Sequence, residues 1–271
     1  MKKIYLLIAA LAICTTSFAQ NFLGMKIKKF GVTMSHDEDR VKGLDAAYFT
    51  NLSKTPFKAD IAAHEFPENT ITSMTCENPA VRLDITVLPF TSQPNLQLNM
   101  GTSLMMNRID ATGYGFWEND YYGASYGDRN YSDIEFSSYS NEVALDASMV
   151  WHQKLAFLHF YGGAGSNLGY TFAGNMDVNG SYTNDESMVG VGIDGASVEN
   201  METVYFHENH NMKNSLHQRV FLQGGVSIIF LKRLELGFEV RRGVGYRYNT
   251  GNPAKFTNLL SAGFNLRWNL K

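Results

Sequence analysis

The sequence has few cysteines, few charged residues and no long apolar run beyond its N-terminus. Cys14 and Cys76 are its two cysteines, and Cys14 lies in the leader described below. The remaining chain cannot form an internal disulfide, which excludes a small secreted domain held by disulfides. Charged residues make up 18% of the chain, against about 25% in an average soluble domain. No stretch after the leader approaches the roughly 18 apolar residues of a transmembrane helix.

The first residues predict a secretory signal peptide. Two lysines precede an apolar run at 4–13, and Ser-Phe-Ala at 17–19 forms a small-x-small cleavage site. We expect 1–19 to be removed and 20–271 to form a single domain. An exported chain without a transmembrane helix is either soluble or a β-barrel, because helices and closed barrels are the two structures that satisfy backbone polar groups in a bilayer.

The rest of the chain contains repeated alternation of apolar and polar side chains. In 258–271 one set of alternate residues is polar and the other is apolar. The apolar set is Leu260, Ala262, Phe264, Leu266, Trp268 and Leu270. Successive side chains of a strand point to opposite faces, whereas apolar positions in a helix recur every three or four residues. The segment therefore predicts a β-strand with one apolar face.

Six further segments share this pattern, which predicts seven strands. They are 81–90, 96–106, 142–152, 156–172, 219–230 and 234–248. Each has roughly the nine to eleven residues that a tilted strand needs to cross a bilayer, and some are longer. Because single-chain bacterial barrels have an even number of strands, an eighth strand is expected near the start, at 30–35 or at 44–52.

Short and long connections alternate between these segments. Short turns are predicted at 91–95, 153–154 and 231–233, long loops at 36–78, 107–140 and 173–215, and a connection of modest length at 249–257. This alternation is typical of outer-membrane barrels, whose periplasmic turns are short and whose extracellular loops are long. We therefore predict an all-β, antiparallel, up-and-down transmembrane β-barrel of about eight strands.

Alternation alone leaves open which face points outward. A soluble, lipocalin-like barrel would place the apolar set inside. The membrane alternative is favoured because the polar face is rich in Gly, Ser and Asn rather than Lys and Glu. Aromatic residues also lie near the ends of the apolar faces, as in interfacial girdles. These aromatic residues include Trp151, Tyr170, Tyr246, Tyr248 and Trp268.

The strand pattern and the terminal segment 264–270 resemble the small OmpA/OmpX-type outer-membrane barrels. The leader, the Gln20 start and the Asn- and Tyr-rich loops resemble outer-membrane barrel proteins of Bacteroidota. This resemblance implies the outer membrane of a Gram-negative bacterium, with outer-membrane lipid and the barrel-assembly machinery as partners. Members commonly end in an aromatic residue that this machinery reads, whereas here Trp268 is followed by three further residues. The resemblance assigns no activity.

The polar faces carry charges of both signs. These residues are Arg82, Asp84, Glu142, Asp146, Arg219, Glu235, Glu239, Arg241 and Arg267. We interpret the set as an interior ion-pair network that satisfies buried charge. The alternative is a selective path for a small solute, although an eight-stranded barrel is only wide enough for its own side chains.

The second long loop is acidic and aromatic. Its candidate binding residues are Tyr114, Phe116, Trp117, Tyr121, Tyr122 and Tyr126. Tyrosine and tryptophan supply large, rigid contact surfaces with a polar tip, which favours recognition of a surface protein or a glycan. The alternative is that these aromatic side chains pack on each other and extend the barrel above the membrane.

Other chemical motifs are weak. The acidic stretch 177–186 lacks EF-hand spacing, and 207–210 (His-Glu-Asn-His) lacks a third metal ligand. Asp146, Ser148 and His152 share an inward face, which keeps a lipid-modifying enzyme as an alternative. We predict no catalytic residue, metal site or cofactor, and no nucleic acid as partner. We expect a non-enzymatic structural or surface-interaction protein, with transport of a small or apolar solute as the main alternative.

Overall fold

The computed structural model describes residues 25–41, 44, 46–57, 76–116, 130–184, 202–230 and 233–270. The predicted signal peptide lies outside these ranges. Nine strands and one helix lie within them: β1 (Lys26–Val41), α1 (Ala46–Leu52), β2 (Cys76–Leu88), β3 (Leu96–Phe116), β4 (Asn130–Leu155), β5 (Leu158–Asn184), β6 (Glu202–Asn211), β7 (Ser215–Phe230), β8 (Leu234–Asn249) and β9 (Lys255–Asn269). No helix in this part of the chain is long and apolar enough to cross a membrane.

Eight of the strands form a closed ring. Neighbouring strands pair antiparallel in the order β1-β2-β3-β4-β5-β7-β8-β9. β1 also pairs with β9, from Lys29 opposite Asn269 to Val41 opposite Thr257, which closes the ring. β6 lies outside the ring and pairs with the far end of β5. The predicted antiparallel, up-and-down barrel of eight strands is thus confirmed.

The first strand is β1, so the candidate at 30–35 is correct and the candidate at 44–52 is wrong. The second segment contains helix α1, because its apolar residues recur at helical spacing. Tyr48 and Phe49 precede Leu52 by four and three residues, and all three are buried. Residues at this spacing lie on one side of a helix, and here that side faces the protein.

The apolar faces of the barrel strands point outward. Leu145, Leu222 and Phe264 are 61%, 70% and 66% exposed. Glu235 and Arg267, on the opposite faces of their strands, are 0% and 1% exposed. This arrangement is the reverse of that in a soluble barrel, so the lipocalin-like alternative is wrong. The fold is that of a transmembrane β-barrel with a polar interior.

Three short connections, which we call the short turns, lie together at one end of the barrel and connect β2 to β3, β4 to β5 and β7 to β8. The connection of β8 to β9, at 250–254, is also short and lies at the opposite end. The turn predicted at 153–154 is wrong, because β4 continues to Leu155, which pairs with Leu158 across Ala156 and Phe157. Ala156 adopts a φ of 55°, a conformation expected of Gly or Asn rather than Ala. No turn-forming residue type therefore marked the position.

Two of the predicted long loops, 107–140 and 173–215, are largely strand. β3 and β4 together occupy most of the first, and β5 with β6 most of the second. The alternation ends early because Asn107 and Ala173 both have a left-handed φ of 51°, with register shifts beside them. Bulges of this kind change the face on which the following residues lie. We call the elements beyond the bulges the platform: 108–116, 130–140, 174–184, β6 and α1.

A lysine on the outward apolar face should destabilise the barrel. Phe264 lies midway along β9, with its ring centroid 5.3 Å from that of Phe238 on β8. We expect Phe264→Lys to lower the free energy of unfolding by roughly 2–4 kcal/mol, the cost of a lipid-facing cation near the bilayer midplane. Urea unfolding of the protein in lipid vesicles measures this change.

The control for this substitution is Asn175→Lys, at an exposed position of β5 beyond the bulge. A lysine in water should change the free energy of unfolding by less than about 0.5 kcal/mol. Equal losses for the two variants would contradict a lipid environment around Phe264.

Candidate functional site

Charged and polar side chains fill the inside of the barrel. All nine residues of the predicted interior set are buried. Other buried charged residues, outside the predicted set, are Lys29, Asp39, Arg108 and Arg247, with His217 beside them. Each of the six buried carboxylates in these two sets has a cationic nitrogen within 4 Å. The lumen therefore contains an ion-pair network rather than isolated charges.

The upper charge cluster lies nearest the platform and comprises Asp39, Arg108, Glu142, His217 and Arg219. Glu142 accepts hydrogen bonds from Arg108 and from Arg219, the second at 2.9 Å. Asp39 accepts from the same two arginines at 2.6 and 2.7 Å. His217 Nδ1 accepts from Arg219 at 2.7 Å. Two carboxylates and two guanidinium groups thus form a closed, buried ring of charge-assisted hydrogen bonds.

The lower charge cluster lies nearer the short turns and comprises Arg82, Asp84, Asp146, Glu239, Arg241 and Arg267. Glu239 accepts hydrogen bonds from Arg82 and Arg241, both at 2.8 Å. Arg241 also donates to Asp146 at 2.7 Å, and Arg267 donates to Glu239 at 3.4 Å. Because each arginine pairs with carboxylates from different strands, the cluster links strands across the whole lumen.

A separate ion pair lies below the two charge clusters, toward the short turns. Lys29 donates to Glu235 at 2.6 Å, and both side chains are buried. Above this pair, Tyr161 donates to Glu239 at 3.3 Å, and its ring centroid lies 5.3 Å from the Arg267 guanidinium carbon. Charged pairs therefore occupy the lumen at three successive levels.

Arg108 reaches the upper charge cluster because β3 contains a bulge. Before the bulge, the even-numbered residues of β3 face outward, and Leu104 and Met106 are exposed. After Asn107, with its φ of 51°, Arg108 faces inward and is buried. Unbroken alternation would place Arg108 on the outward face, and so the sequence pattern did not identify it.

The space between the upper and lower charge clusters is small. A cavity of about 20 Å³ lies there, and its lining includes Arg82, Asp146, Arg219 and Arg241. This volume holds about one water molecule. Glycine contributes to the close packing: a Cβ atom at Gly169 would overlap Glu142 Oε1. The described lumen is therefore filled at this level by its own side chains.

Helix α1, within the predicted loop 36–78, caps the barrel on the platform side. The Tyr48 hydroxyl accepts hydrogen bonds from Asn249 at 3.0 Å and from Arg247 at 3.4 Å, both on β8. Phe49 stacks on Phe136 of β4, with ring centroids 4.7 Å apart. The surrounding hydrophobic cluster comprises Val41, Leu44, Leu52, Ile134, Met176, Val178 and Met212. The platform thus has its own small apolar core outside the barrel.

Removing the Phe49 side chain should loosen the cap without opening the barrel. Phe49 is fully buried, and truncation of a buried phenylalanine costs roughly 3–5 kcal/mol. We expect Phe49→Ala to increase hydrogen exchange of the backbone amides in 46–57, because these residues depend on that packing. Asn51→Ala, on the exposed side of the same helix, is the control. Unchanged exchange in Phe49→Ala would show that another contact holds the cap.

Neither a protein-family model nor a curated protein sequence matches this chain. Several solved outer-membrane protein structures are similar to it. Neisserial surface protein A is 12% identical, with 89% of this chain and 97% of that chain covered and a TM-score of 0.34. The attachment invasion locus protein of Yersinia pestis is 10% identical, with 89% and 99% covered and a TM-score of 0.31. A major outer membrane protein from Thermus thermophilus is 9% identical, with 88% and 99% covered and a TM-score of 0.36.

The predicted aromatic binding residues lie at or beyond the end of β3. Tyr114 and Phe116 belong to this strand, but their side chains lie outside the described part of the structure. The other four, at 117, 121, 122 and 126, lie outside the described residues altogether. Recognition of a partner by this loop stays a prediction.

The three residues considered for a hydrolase are separated by other contacts. Asp146 accepts from Arg241 and Ser103, and the His152 ring stacks on Tyr161 with centroids 5.2 Å apart. Among the described side chains, no hydrogen bond joins His152 to Ser148 or Asp146. The same part of the chain contains no group of three metal-ligating side chains.

Proposed function

We propose that this protein is a non-enzymatic outer-membrane barrel that carries a folded interaction platform at the cell surface. The observation that supports this proposal most directly is that one barrel combines a filled lumen with a folded platform. The two charge clusters cross-link the strands internally, and α1 covers the barrel on the platform side. Such an arrangement suits a rigid anchor better than a channel.

The proposed orientation follows from the two ends of the barrel. The three short turns lie at one end, and the platform lies at the other together with the short β8–β9 connection. In outer-membrane barrels the end with the longer segments is extracellular and the end with short turns is periplasmic. The platform would then face the exterior of a Gram-negative cell, in keeping with the resemblance to Bacteroidota proteins. The proposed partners are outer-membrane lipid around the apolar belt, the barrel-assembly machinery, and a surface protein or glycan on the platform.

The transport alternative is tested by conductance. Purified protein reconstituted in planar bilayers should give no discrete current steps, because ion pairs occupy the lumen at three levels. A known porin reconstituted in parallel establishes that the assay detects open channels. Regular current steps from this protein would reverse the proposal and favour a narrow conducting path.

The surface role is tested by replacing residues 117–129 with a Gly-Ser linker. This replacement leaves β3 and β4 intact, whereas removing the whole predicted loop 107–140 would delete parts of both strands. We expect the variant barrel to assemble normally, while attachment of cells displaying it to other cells is lost. Unchanged attachment would remove this loop from the proposal.

The enzymatic alternative has its own test. His152→Ala should leave the lipid composition of the outer membrane unchanged if the protein is not an enzyme. A loss of one lipid modification in this variant, with normal barrel assembly, would instead favour a lipid-modifying activity.

A further inference from the structure

The platform has a second face, opposite the one covered by α1, that is open to water. On this face residues of β4, β5 and β6 lie directly opposite each other. Glu135, Asn179 and His207 form one row across the three strands. Asp177 and Asn209 lie opposite each other in the row on one side, and Tyr205 lies in the row on the other side. We call these six residues the outer array.

Tyr205 is the aromatic element of the outer array. Its side chain is 81% exposed, whereas the outward tyrosines of β8, Tyr246 and Tyr248, are 49% and 43% exposed. Tyr205 lies opposite Ser181 of β5. Measured along β5, Ser181 lies roughly 30 Å beyond Phe172, which belongs to the apolar face of this strand. The ring is therefore well beyond the apolar belt and presents its face to solvent.

Four polar members of the outer array are held in position by hydrogen bonds across the strands, and the fifth, Glu135, accepts one from Ser137 on its own strand at 3.3 Å. His207 Nδ1 lies 2.6 Å from Asn179 Oδ1, and Asn209 donates to Asp177. Each of these bonds uses only one of the two polar atoms in the side-chain amide of Asn179 or Asn209. An asparagine side chain has both donors and acceptors. Side chains that are already oriented lose less conformational entropy when a ligand binds.

Building on the surface role proposed above, we propose that the outer array binds a neutral oligosaccharide. A pyranose ring has an apolar C–H face, which packs on an aromatic ring, and hydroxyl groups that both donate and accept hydrogen bonds. Tyr205 supplies the aromatic surface. The amides of Asn179 and Asn209 and the carboxylate of Glu135 supply matching polar groups.

The charge and composition of the outer array distinguish this ligand from others. Glu135 and Asp177 are acidic and the array contains no Lys or Arg, so a sulfated or phosphorylated glycan would be repelled. Protein interfaces are enriched in aromatic residues, Met and Arg and depleted in acidic residues at their centres. Apart from Tyr205 the array has none of the enriched types, which favours a carbohydrate over a protein partner.

Affinity electrophoresis tests the proposal. The full-length barrel in mild detergent is run through native gels that contain mannan, dextran or xylan as neutral probes, or heparin as the sulfated probe. We expect retardation by at least one neutral polysaccharide and none by heparin. Tyr205→Ala should weaken this binding roughly tenfold or more, because the aromatic anchor is lost.

Two further variants separate stacking from general effects of substitution. Tyr205→Phe keeps the ring and should retain binding within about threefold. Tyr248→Ala removes an exposed tyrosine outside the array and should bind like the wild type. Faster migration of the unboiled form of each variant in denaturing gels verifies that its barrel is folded.

The proposal is overturned if no neutral polysaccharide retards the wild type, if only heparin does, or if folded Tyr205→Ala binds as well as the wild type. None of these results contradicts the proposed surface role, provided that cell attachment is still lost when residues 117–129 are replaced. Loss of attachment in Tyr205→Ala without any polysaccharide binding would instead assign the array to a protein partner.

Discussion

Glu142→Ala should destabilise the barrel by roughly 3–5 kcal/mol, the usual consequence of removing one partner from a buried ion pair. Glu142 accepts hydrogen bonds from Arg108 and Arg219 in a buried position. Without it, both guanidinium groups would share Asp39 alone in the upper charge cluster. The denaturant midpoint in lipid vesicles, followed by the loss of the compact gel form, measures the change.

The matched control is Glu38→Ala on the outer surface. Glu38 forms an ion pair with Arg40, and their side chains are 17% and 64% exposed. Because the Arg40 side chain reaches solvent, it stays hydrated when Glu38 is removed. Surface pairs contribute only about 0–1 kcal/mol, so this variant should unfold close to the wild type. Similar losses for Glu38→Ala and Glu142→Ala would contradict a special role for the buried network.

Inserting one alanine between Asn107 and Arg108 should prevent the barrel from assembling. The bulge at Asn107 places Arg108 on the inward face, and one further residue after the bulge would reverse the alternation and direct Arg108 toward lipid. Loss of the buried ion pairs costs about 3–5 kcal/mol, and a lipid-facing arginine adds up to ~4 kcal/mol near the midplane and less toward the interface. The sum is comparable to the whole stability of a typical protein, about 5–15 kcal/mol.

The yield of compact, heat-modifiable protein in the outer-membrane fraction measures this effect. Asn107→Gly is the control, because glycine adopts the left-handed conformation without strain and keeps the bulge. We expect the glycine variant to assemble at the wild-type yield. Normal assembly of the insertion variant would show that the inward position of Arg108 does not depend on the spacing set by the bulge.

The barrel could be predicted from the sequence because lipid imposes a simple rule on membrane strands. Outward residues such as Phe264 and Leu266 must be apolar, and inward residues such as Arg267 are free to be polar. This rule holds along the membrane-facing part of each strand and so gives a clear period of two. It also predicted which face points outward, which the exposure of these residues confirms.

The sequence pattern failed where local backbone geometry or packing outside the membrane determines the structure. At Asn107 and Ala173 a left-handed residue changes the face of the strand, so Arg108 was missed and the platform strands were taken for loops. Helix α1 has seven residues, and the spacing of apolar residues in so short a segment does not by itself distinguish a helix from a strand. Its position depends on contacts such as Phe49 with Phe136, which join residues distant in sequence.

The interior network could be predicted in composition but not in its pairing. Glu142 and Arg219 lie on predicted strands, at alternate positions that face inward, so both belonged to the expected set. Asp39 was missed because the first strand was expected to end near residue 35, whereas β1 continues to Val41. Which carboxylate meets which guanidinium depends on the register around the ring, and alternation within one strand contains no information about register.

The most direct test of a closed transmembrane barrel is the gel mobility of the protein from the outer-membrane fraction, with and without boiling. Every strand of the ring is paired on both sides, so the folded form should resist detergent. A closed barrel should give a faster band before boiling and a slower band after it. A soluble periplasmic protein with the same mobility in both samples would contradict a closed transmembrane barrel.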